Sequence, residues 1–522
     1  MNRLSWWIGL GICVAFFSPA LFGGNGDDSK PNIVFILVDD MGWTGTSVPA
    51  HNKIKDSRSD YYQTPSLEKL ATQGMTFSSA YASSPMCTPS RASFLTGKSP
   101  AQLHMTTPGP VQRAQSYMKV IPPVHLNSLP ENEVTIAEVL KKRGYATAHF
   151  GKWHLSGGGP GQHGFDEHDG ETGNEGPGLY EDPNPKDLFG ITKRAESFME
   201  KSLNSGKPFY LHLSHYAVHG PNKCNAKTRD WFESRPRGKR HTSSEYAAMT
   251  KDFDVSVGRI LAKLQSLGIE ENTYVVFMSD NGAGRRNSRQ ENDPLAGGKG
   301  SLSEGGIRVP LIVRGPGVKS GVYCHESVIG FDLFPTICEW VGAKTSVHKG
   351  VEGASWAPLL GGKKNFKRKQ KALVFHFPHY GKGSSQVPQS ALLVGSKKLI
   401  KDYDSGKLSL YDLDKDIGES HDLAQERPSE TRKLEKLLVA YLKKIKAQLP
   451  RKNQDFDSSA TKTDRRKGSN RFISRMDKNG DGKVSKEEFT GPRNRFSRLD
   501  KNGDGVISGD EAPTGSSAGG KR

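Results

Sequence analysis

Pro31-Asn-Ile-Val-Phe-Ile-Leu-Val38-Asp39-Asp40 is the stretch of sequence that decides the fold. The residues before Asp39 are almost continuously apolar and lack the alternation of a strand with one face in water. This pattern predicts a central strand that is covered on both faces. The run ends abruptly in two aspartates, so the strand should carry a pair of acidic side chains at its carboxyl end.

The same arrangement recurs further along the chain. Strands are predicted over 145–150, 208–213 and 273–278, and amphipathic helices over 134–144 and 246–267. Strands that alternate with helices indicate an α/β fold with a mostly parallel, doubly wound sheet.

Polar side chains gather at or just beyond the carboxyl ends of the predicted strands. In open α/β sheets this edge is where ligands bind. The candidates are Asp39, Asp40, Lys152, His154, His219, Asp280 and Asn281. Taken singly, each is more typical of a solvated turn or a packing residue, and it is their shared edge that indicates a site.

A helix start should face the same edge. In Ser83-Ser-Pro-Met-Cys-Thr-Pro-Ser-Arg-Ala-Ser-Phe-Leu-Thr-Gly97, Pro89 suits a first helical turn and Gly97 suits a left-handed cap. Cys87 then lies where free backbone N–H groups favour negative charge. The segment alone leaves a buried structural cysteine and a chemically active one both open.

Length and charge restrict the class of protein. A chain of 522 residues with a net charge of +18 is long enough for two or three domains and favours anionic partners. Residues 1–24 resemble a signal peptide, with a long uncharged apolar run and small residues at Ser18-Pro19-Ala20. A retained membrane anchor is the alternative. We therefore expect a periplasmic or secreted protein and no nucleic-acid partner.

Five cysteines are present, and Cys13 would leave with the signal peptide. An exported chain could pair the remaining four in disulfides, or keep Cys87 for chemistry with at most one bridge. Cys324 and Cys338 are the nearest pair in sequence.

The chain divides by composition into a catalytic domain over 31–370, a small α+β subdomain over 371–449, a polar linker over 450–470 and a repeated tail over 471–512. Paired aspartates without accompanying cysteines at the sheet edge supply hard oxygen ligands, which favour Ca²⁺ or Mg²⁺.

The combination of motifs resembles the type I, formylglycine-dependent sulfatase family. The matching segments span about 31–449 and occur in the family's order: Asp39-Asp40, Cys87-Thr-Pro-Ser-Arg91, Gly151-Lys-Trp-His-Leu155, Asp280-Asn-Gly282, Gly298-Lys-Gly300 and Glu304-Gly-Gly-Ile-Arg-Val-Pro310. The resemblance implies an alkaline-phosphatase-like α/β fold and a sulfuric ester hydrolase.

The resemblance also implies roles for these residues. Cys87 would be oxidised to formylglycine (3-oxoalanine) by a formylglycine-generating or anaerobic maturation enzyme, and its hydrate would attack sulfur. Ca²⁺, with Mg²⁺ as the alternative, would be held by Asp39, Asp40, the modified Cys87, Asp280 and Asn281.

The remaining roles concern charge and proton transfer. Lys152 and Lys299 would bind the sulfate, and Arg91 would order the nucleophile. His154 would take the proton from the second hydroxyl of the hydrate, and His219 would protonate the leaving oxygen. His215 could exchange roles with His219.

Two other functions compete with sulfate ester hydrolysis. The nearest is hydrolysis of phosphonates or phosphodiesters, and the other is calcium-dependent binding of sulfated glycans without catalysis. For the sulfatase, export and positive charge favour a sulfated polysaccharide or oligosaccharide over a steroid or lipid sulfate. His376, His379 and Tyr380 would either reach the pocket or pack in the subdomain core.

The tail contains two EF-hand calcium loops 23 residues apart. The ligand positions are Asp477, Asn479, Asp481, Lys483, Ser485 and Glu488, and then Asp500, Asn502, Asp504, Val506, Ser508 and Glu511. Lys483 and Val506 would use backbone carbonyls. The segment after Glu511 cannot form the usual exit helix, so we expect a weaker second site. With 17 Lys and Arg against 11 Asp and Glu over 451–522, the tail should be a structural or docking module for anionic glycans or the cell surface.

Overall fold

A computed structural model describes most of the chain. The described residues are 30–174, 183–284, 291–344, 350–363, 366–381, 386–458, 473, 476–479, 481–491, 493–508 and 511–512. The predicted signal peptide and most of the predicted linker lie outside these ranges. Within them, no helix has the length and apolarity that a bilayer span requires.

The strands, numbered in chain order, belong to one large sheet and several small ones. They are β1 (Asn32–Val38), β2 (Met75–Phe77), β3 (Ala80–Tyr81), β4 (Val120–Ile121), β5 (Ala146–Gly151), β6 (Glu167–His168), β7 (Phe209–Ser214), β8 (Thr273–Ser279), β9 (Leu311–Arg314), β10 (Val322–Cys324), β11 (Val328–Ile329), β12 (Leu373–Phe377), β13 (Gln389–Val394), β14 (Lys397–Asp402), β15 (Leu408–Asp412), β16 (Arg451–Lys452), β17 (Val484–Ser485) and β18 (Val506–Ile507).

The α-helices lie mostly between the strands of the large sheet. They are α1 (Pro65–Gln73), α2 (Cys87–Thr96), α3 (Pro100–Leu103), α4 (Ile136–Lys141), α5 (Leu188–Asn204), α6 (Ala226–Glu233), α7 (Ser244–Ser266), α8 (Glu304–Ile307), α9 (Leu333–Trp340), α10 (Ala357–Leu360), α11 (Pro428–Lys444) and α12 (Arg493–Leu499).

The large sheet is mostly parallel, as the sequence predicts. Its order among the described residues is β10-β2-β9-β8-β1-β7-β5-β6, with β9 antiparallel to both neighbours. In the parallel register Val38 lies opposite Ser279, and Leu37 and Gly151 both lie opposite Ser214. The carboxyl ends of β1, β5, β7 and β8 therefore form one continuous edge.

Strand β1 is covered on both faces. Ile33, Phe35 and Leu37 belong to one hydrophobic core, and Val34, Ile36 and Val38 belong to the core on the opposite face. All six are fully buried, which explains why the sequence shows an unbroken apolar run instead of alternation.

The small subdomain is an antiparallel sheet, β12-β13-β14-β15, packed against α11. A fully buried lysine, Lys398, joins it to the catalytic domain. The Lys398 ammonium lies 2.8 Å from a carboxylate oxygen of Glu304 and 2.8 Å from one of Glu419.

The predicted boundary of the linker at residue 450 is wrong. Strand β16 pairs antiparallel with β4, and the Asn453 amide donates hydrogen bonds to the carbonyls of Gln115 and Met118 at 3.0 and 2.7 Å. Asp457 donates its backbone N–H to the Ser116 carbonyl at 2.8 Å. The polar composition of 451–457 therefore reflects an edge strand on the catalytic domain.

The thiols of Cys87, Cys224, Cys324 and Cys338 are free, so the disulfides considered for the exported chain are not formed. In the tail, β17 pairs with β18 across the two predicted loops. Ile473, Val484, Phe496, Ile507 and Ala512 form a small shared core.

Candidate active site

The candidate nucleophile begins a buried helix. Helix α2 starts at Cys87 and is buried along its whole length. It ends at Gly97, whose φ of 69° and close approach to Phe334 leave no room for a side chain. The helix is thus fixed at both ends, and Cys87 lies at the carboxyl edge of the sheet.

Three aspartates surround Cys87. One ligand atom each from Asp39, Asp40, Cys87 and Asp280 lies within 4.8 Å of the others, and all four residues are buried. The backbone N–H of Asp40 donates to Asp280 Oδ1 at 3.0 Å, which connects the ends of β1 and β8. The two acidic motifs, 240 residues apart, form one cluster.

Asn281 completes this oxygen-rich cluster. Its side-chain amide donates to Asp40 Oδ1 at 2.7 Å and to the Gly282 carbonyl at 2.9 Å. Its buried Oδ1 has no hydrogen-bond partner among the described residues. An orphaned amide oxygen beside three carboxylates fits a hard divalent cation such as Ca²⁺ or Mg²⁺.

Three cationic side chains balance the aspartates. Lys152 Nζ lies 2.6 Å from Asp39, and Lys299 Nζ lies 2.6 Å from Asp40 and 3.0 Å from Cys87 Sγ. Arg91 donates to Asp280 Oδ2 from two nitrogens, at 3.1 and 2.8 Å, and to the Lys152 carbonyl at 2.8 Å. The three cations therefore neutralise the three carboxylates of the cluster.

The electrostatics of the cluster affect each carboxyl group differently. Burial raises the pKa of Asp39, but Lys152 and the neighbouring cations outweigh it and hold that pKa well below its usual value. Burial and the Asp39 charge raise the pKa of Asp280 to about 7. Burial and Asp39 also raise the pKa of the Cys87 thiol, so the unmodified side chain is a poor nucleophile.

His154 reaches the cluster through a left-handed backbone turn, with φ of 56°. The Thr88 hydroxyl donates to the His154 carbonyl at 2.9 Å, which ties this turn to the nucleophile helix. Burial and the charge of Lys152 lower the pKa of His154 to about 2. The imidazole is therefore neutral.

The two histidines after β7 are clearly different. His219 Nε2 lies 3.8 Å from Asp40 Oδ2, and Nδ1 lies 2.7 Å from the Gly220 carbonyl. His215 is 1% exposed and packs edge-on against Phe253. The structure therefore places His219 in the cluster and His215 in the core, which removes the alternative assignment.

The sequence analysis missed two residues near the cluster. Ser214, the last residue of β7, accepts a hydrogen bond from Arg91 and donates one to the Lys152 carbonyl. Lys186 is 1% exposed, and its ammonium interacts electrostatically with Asp39 and Asp40, while burial lowers its pKa to about 8. Ser214 follows a predicted strand and could have been found, whereas Lys186 lies in an irregular loop without a motif.

The histidines of the subdomain are core residues. His376 contacts the Ser390 hydroxyl at 2.6 Å and the Gln448 carbonyl at 2.9 Å, and His379 contacts the Thr106 hydroxyl at 2.7 Å. Tyr380 is also buried and accepts a backbone hydrogen bond from Val120 at its hydroxyl. Of the two alternatives, packing in the core of the subdomain therefore describes these three residues better than a position in the active-site pocket.

The two tail loops differ in geometry. Carboxylate oxygens of Asp500, Asp504 and Glu511 lie within 4.8 Å of one another, as a calcium loop requires. In the first loop, Asp477 Oδ2 lies 3.4 Å from the guanidinium of Arg113 in the catalytic domain. That the second loop is the weaker calcium site stays a prediction.

Comparison with protein-family models gives three matches. The model described as Sulfatase matches residues 31–343, and the model for the N-sulphoglucosamine sulphohydrolase C-terminal region matches 298–448. The EF-hand model matches 472–490 and 494–511.

Curated relatives agree with these matches. A protein named sulfatase from Formosa agariphila is 30% identical over 77% of this chain and 86% of its own length. The N-acetylgalactosamine-6-sulfatase of Homo sapiens is 30% identical over 65% of this chain and 67% of its own length.

Solved structures show the same fold. The crystal structure of Ps i-CgsB has a TM-score of 0.66 at 24% identity and covers 83% of this chain and 94% of that chain. The same protein is also known in complex with k-i-k-neocarrahexaose, with a TM-score of 0.66.

Proposed function

Because the chain belongs to the sulfatase family of sulfuric ester hydrolases, we propose that it removes sulfate from sulfated polysaccharides or oligosaccharides at the Cys87 cluster. The observation that carries this proposal is the convergence of a helix-start cysteine, three aspartates and three cations at one sheet edge. Sulfuryl transfer spreads negative charge over the sulfate oxygens, and fixed cations stabilise that charge.

The donor set fits a calcium ion. Asp39, Asp40, Asp280 and the orphaned Oδ1 of Asn281 would hold it, and Mg²⁺ remains the alternative. A bound divalent cation supplies Lewis-acid stabilisation of negative charge on oxygen. Three carboxylates and one amide oxygen suit such an ion, since Lys152, Lys299 and Arg91 only balance the three carboxylates and a divalent cation would add the positive charge that a bound sulfate needs.

We propose that Cys87 is matured to formylglycine. Burial and the Asp39 charge raise the pKa of the thiol, which makes the unmodified side chain a weak nucleophile, and formylglycine at this position is typical of the family that the chain belongs to. A formylglycine hydrate supplies one hydroxyl for attack and a second through which sulfate is released. Maturation would require a formylglycine-generating or anaerobic maturation enzyme as a partner.

The other residues of the cluster bind the sulfate, orient the nucleophile helix and transfer protons. Lys152 and Lys299 bind sulfate oxygens, and Arg91 fixes Asp280 relative to the nucleophile helix. His154 is neutral, and its role is to accept a proton at the nucleophile. His219 delivers a proton to the leaving oxygen from Nε2; burial lowers its pKa, and the Asp39 and Asp40 carboxylates favour its charged form.

The substrate class follows from charge and from the relatives. A net charge of +18 favours a polyanion. The relatives include N-acetylgalactosamine-6-sulfatases, and a structural neighbour binds a neocarrahexaose. Export to the periplasm or the medium, and docking of the EF-hand tail on glycans or the cell surface, belong to the same proposal.

One experiment tests the chemistry. Peptide mass spectrometry across Cys87 should find formylglycine in the active enzyme, and aryl sulfate should be hydrolysed in preference to aryl phosphodiester. Turnover of the phosphodiester alone would support the rival hydrolase. Turnover of neither ester by a fully matured protein would leave the calcium-dependent binder as the function.

A further inference from the structure

A second cavity lies between the catalytic domain and the small subdomain. Its volume is about 340 Å³, within the range of ligand pockets. The walls come from α3, the 350–352 segment, the 368–370 segment, the start of β12 and the end of α11.

This cavity is separate from the Cys87 cluster. Glu352, one of its lining residues, donates its backbone N–H to the Gly97 carbonyl at 2.9 Å, at the carboxyl end of α2. Cys87 lies at the opposite end of that ten-residue helix. At 1.5 Å per residue, the two ends are about 15 Å apart.

The cavity wall carries more positive than negative charge. Its acidic side chain, Glu352, already accepts hydrogen bonds from the Ser99 backbone at 2.9 Å and from the Tyr441 hydroxyl. Arg368 is paired with Asp332, which lies 2.6 Å from Nη1.

Three lysines remain at the rim. Lys369, Lys444 and Lys446 line the cavity, and none of them forms an ion pair within the described part of the chain. Three ammonium groups around one opening favour an anionic ligand.

The interior of the cavity suits a sugar ring. Val351, Ala372 and Val374 provide an apolar wall. Gln102 lies on the same wall and donates its amide to the Gly350 carbonyl at 3.0 Å.

We propose that this cavity is a second, non-catalytic binding site for a sulfated saccharide. The apolar wall packs against the face of a sugar ring, and the lysines of the cavity wall bind the sulfate. The choice of a saccharide over another organic anion rests on the proposed function. The site holds a sulfated chain beside the catalytic domain or retains a released product.

Calorimetry on the full-length Cys87→Ala protein tests the site without hydrolysis of the ligand. The probe is a tetrasaccharide from chondroitin 6-sulfate, compared with its chemically desulfated form. The parent should bind two equivalents, and Lys444→Glu/Lys446→Glu should bind one. The desulfated probe should bind the second site at least tenfold more weakly.

A matched control separates local from general charge effects. Lys433→Glu/Lys436→Glu makes the same charge change on exposed positions of α11 outside the cavity, and it should retain both equivalents. Binding that is identical in the two double variants overturns the cavity site, as does equal binding of the desulfated probe.

The outcomes also separate this inference from the proposed function. A single equivalent that disappears only in Lys444→Glu/Lys446→Glu, with no sulfate release by the matured enzyme, supports the cavity and refutes the glycan sulfatase. A single equivalent that survives that variant places binding elsewhere and refutes the cavity. Made with Cys87 intact, both double variants should turn over a small aryl sulfate at an unchanged rate.

Discussion

Arg91 fixes the relative positions of the nucleophile helix and two strand ends. Its guanidinium is buried, donates twice to Asp280 and also binds the Lys152 carbonyl and Ser214. The planar guanidinium donates from several nitrogens at fixed angles, and lysine has no equivalent group, even though its charge is the same.

We predict that Arg91→Lys abolishes most sulfate release and lowers the free energy of unfolding by about 2 kcal/mol, because charge-assisted hydrogen bonds are lost in a buried site. Arg259→Lys is the matched control. Arg259 makes the same two-pronged contact with Glu196, at 3.1 and 2.7 Å, but is 40% exposed. Chemical denaturation and an aryl sulfate assay measure both effects, and equal losses in the two variants would contradict the prediction.

Cys87 and Asp280 should differ in what their removal does to the fold. Cys87→Ala should abolish sulfate release and leave the protein folded, because a small apolar side chain replaces a buried thiol. Asp280→Ala should abolish sulfate release and also cost about 3–5 kcal/mol of stability, because Arg91 is left buried without its partner.

Thermal denaturation of both variants measures the difference. Asp280→Asn keeps the volume and one hydrogen-bond acceptor, so it should recover part of the stability and none of the activity. A Cys87→Ala protein with more than a small fraction of the activity would refute the nucleophile assignment.

Residues in local motifs could be predicted from the sequence, and residues that depend on packing could not. Asp39 and Cys87 follow directly from a strand end and a helix start. Which of His215 and His219 enters the site depends on the turn after β7, and the sequence carries no signal for that. Lys186 is brought in by an irregular loop, so only the folded chain identifies it.

At the scale of elements, the segment after the subdomain determines where the chain can be shortened. Residues 451–452 form β16, which pairs with β4, and Asn453 and Asp457 bind the loop that carries β4. We predict that a chain ending at Ser458 keeps full turnover of small esters and the thermal stability of the whole protein.

A chain ending at Leu449 should keep small-ester turnover but melt several degrees lower, because the carbonyls of Gln115 and Met118 lose the Asn453 amide. Differential scanning calorimetry of the two truncated chains distinguishes them. Equal melting temperatures would mean that β16 contributes nothing to the catalytic domain.

The tail loops should respond to acid in the absence of calcium. Backbone hydrogen bonds from Ser485, Asn479 and Lys478 lower the pKa of Glu488 to about 2, and contacts with Ser508 and Asn502 do the same for Glu511. A carboxyl group whose pKa is lower in the folded state than in the unfolded state stabilises the fold at pH values above its ordinary pKa of 4.5.

This stabilisation should therefore be complete above about pH 4.5 and disappear as the pH falls toward 2. The protection factors of the amides in β17 and β18, which correct for the intrinsic pH dependence of exchange, should fall over that interval in the full-length protein. In Glu488→Gln/Glu511→Gln the protection factors should already be low at neutral pH and should change little with acid.

At the scale of the whole molecule, Lys398 joins the catalytic domain to the subdomain. It is fully buried between Glu304 and Glu419, and Glu304 also accepts from the Tyr81 hydroxyl and from Arg308. We predict that Lys398→Met costs about 3–5 kcal/mol, because two buried carboxylates lose their cation.

Lys397→Met is the control on the same strand. Lys397 is 26% exposed and pairs with Asp412, so its loss should cost less than about 1 kcal/mol. Urea denaturation of both variants tests the pair. Similar midpoints for the two would show that the domains are held together by apolar contacts alone.

The overall architecture could be predicted because the spacing of apolar residues along the sequence indicates which faces of a strand or helix are buried. The unbroken run of β1 and the alternation of strands with helices specify a parallel sheet covered on both faces. The boundary at 450 could not be predicted, because an exposed two-strand pair such as β4 and β16 has the same polar composition as a linker.

The pairing of β16 with β4 has a mechanical consequence. When the tail is held on a surface and the catalytic body is pulled away, tension enters the body at Asp457 and passes through Asn453 to β16. We expect these hydrogen bonds and the short ladder to Val120 and Ile121 to take the load before the central sheet does. The enzyme can thus be tethered by its carboxyl end with the reaction centre shielded from force.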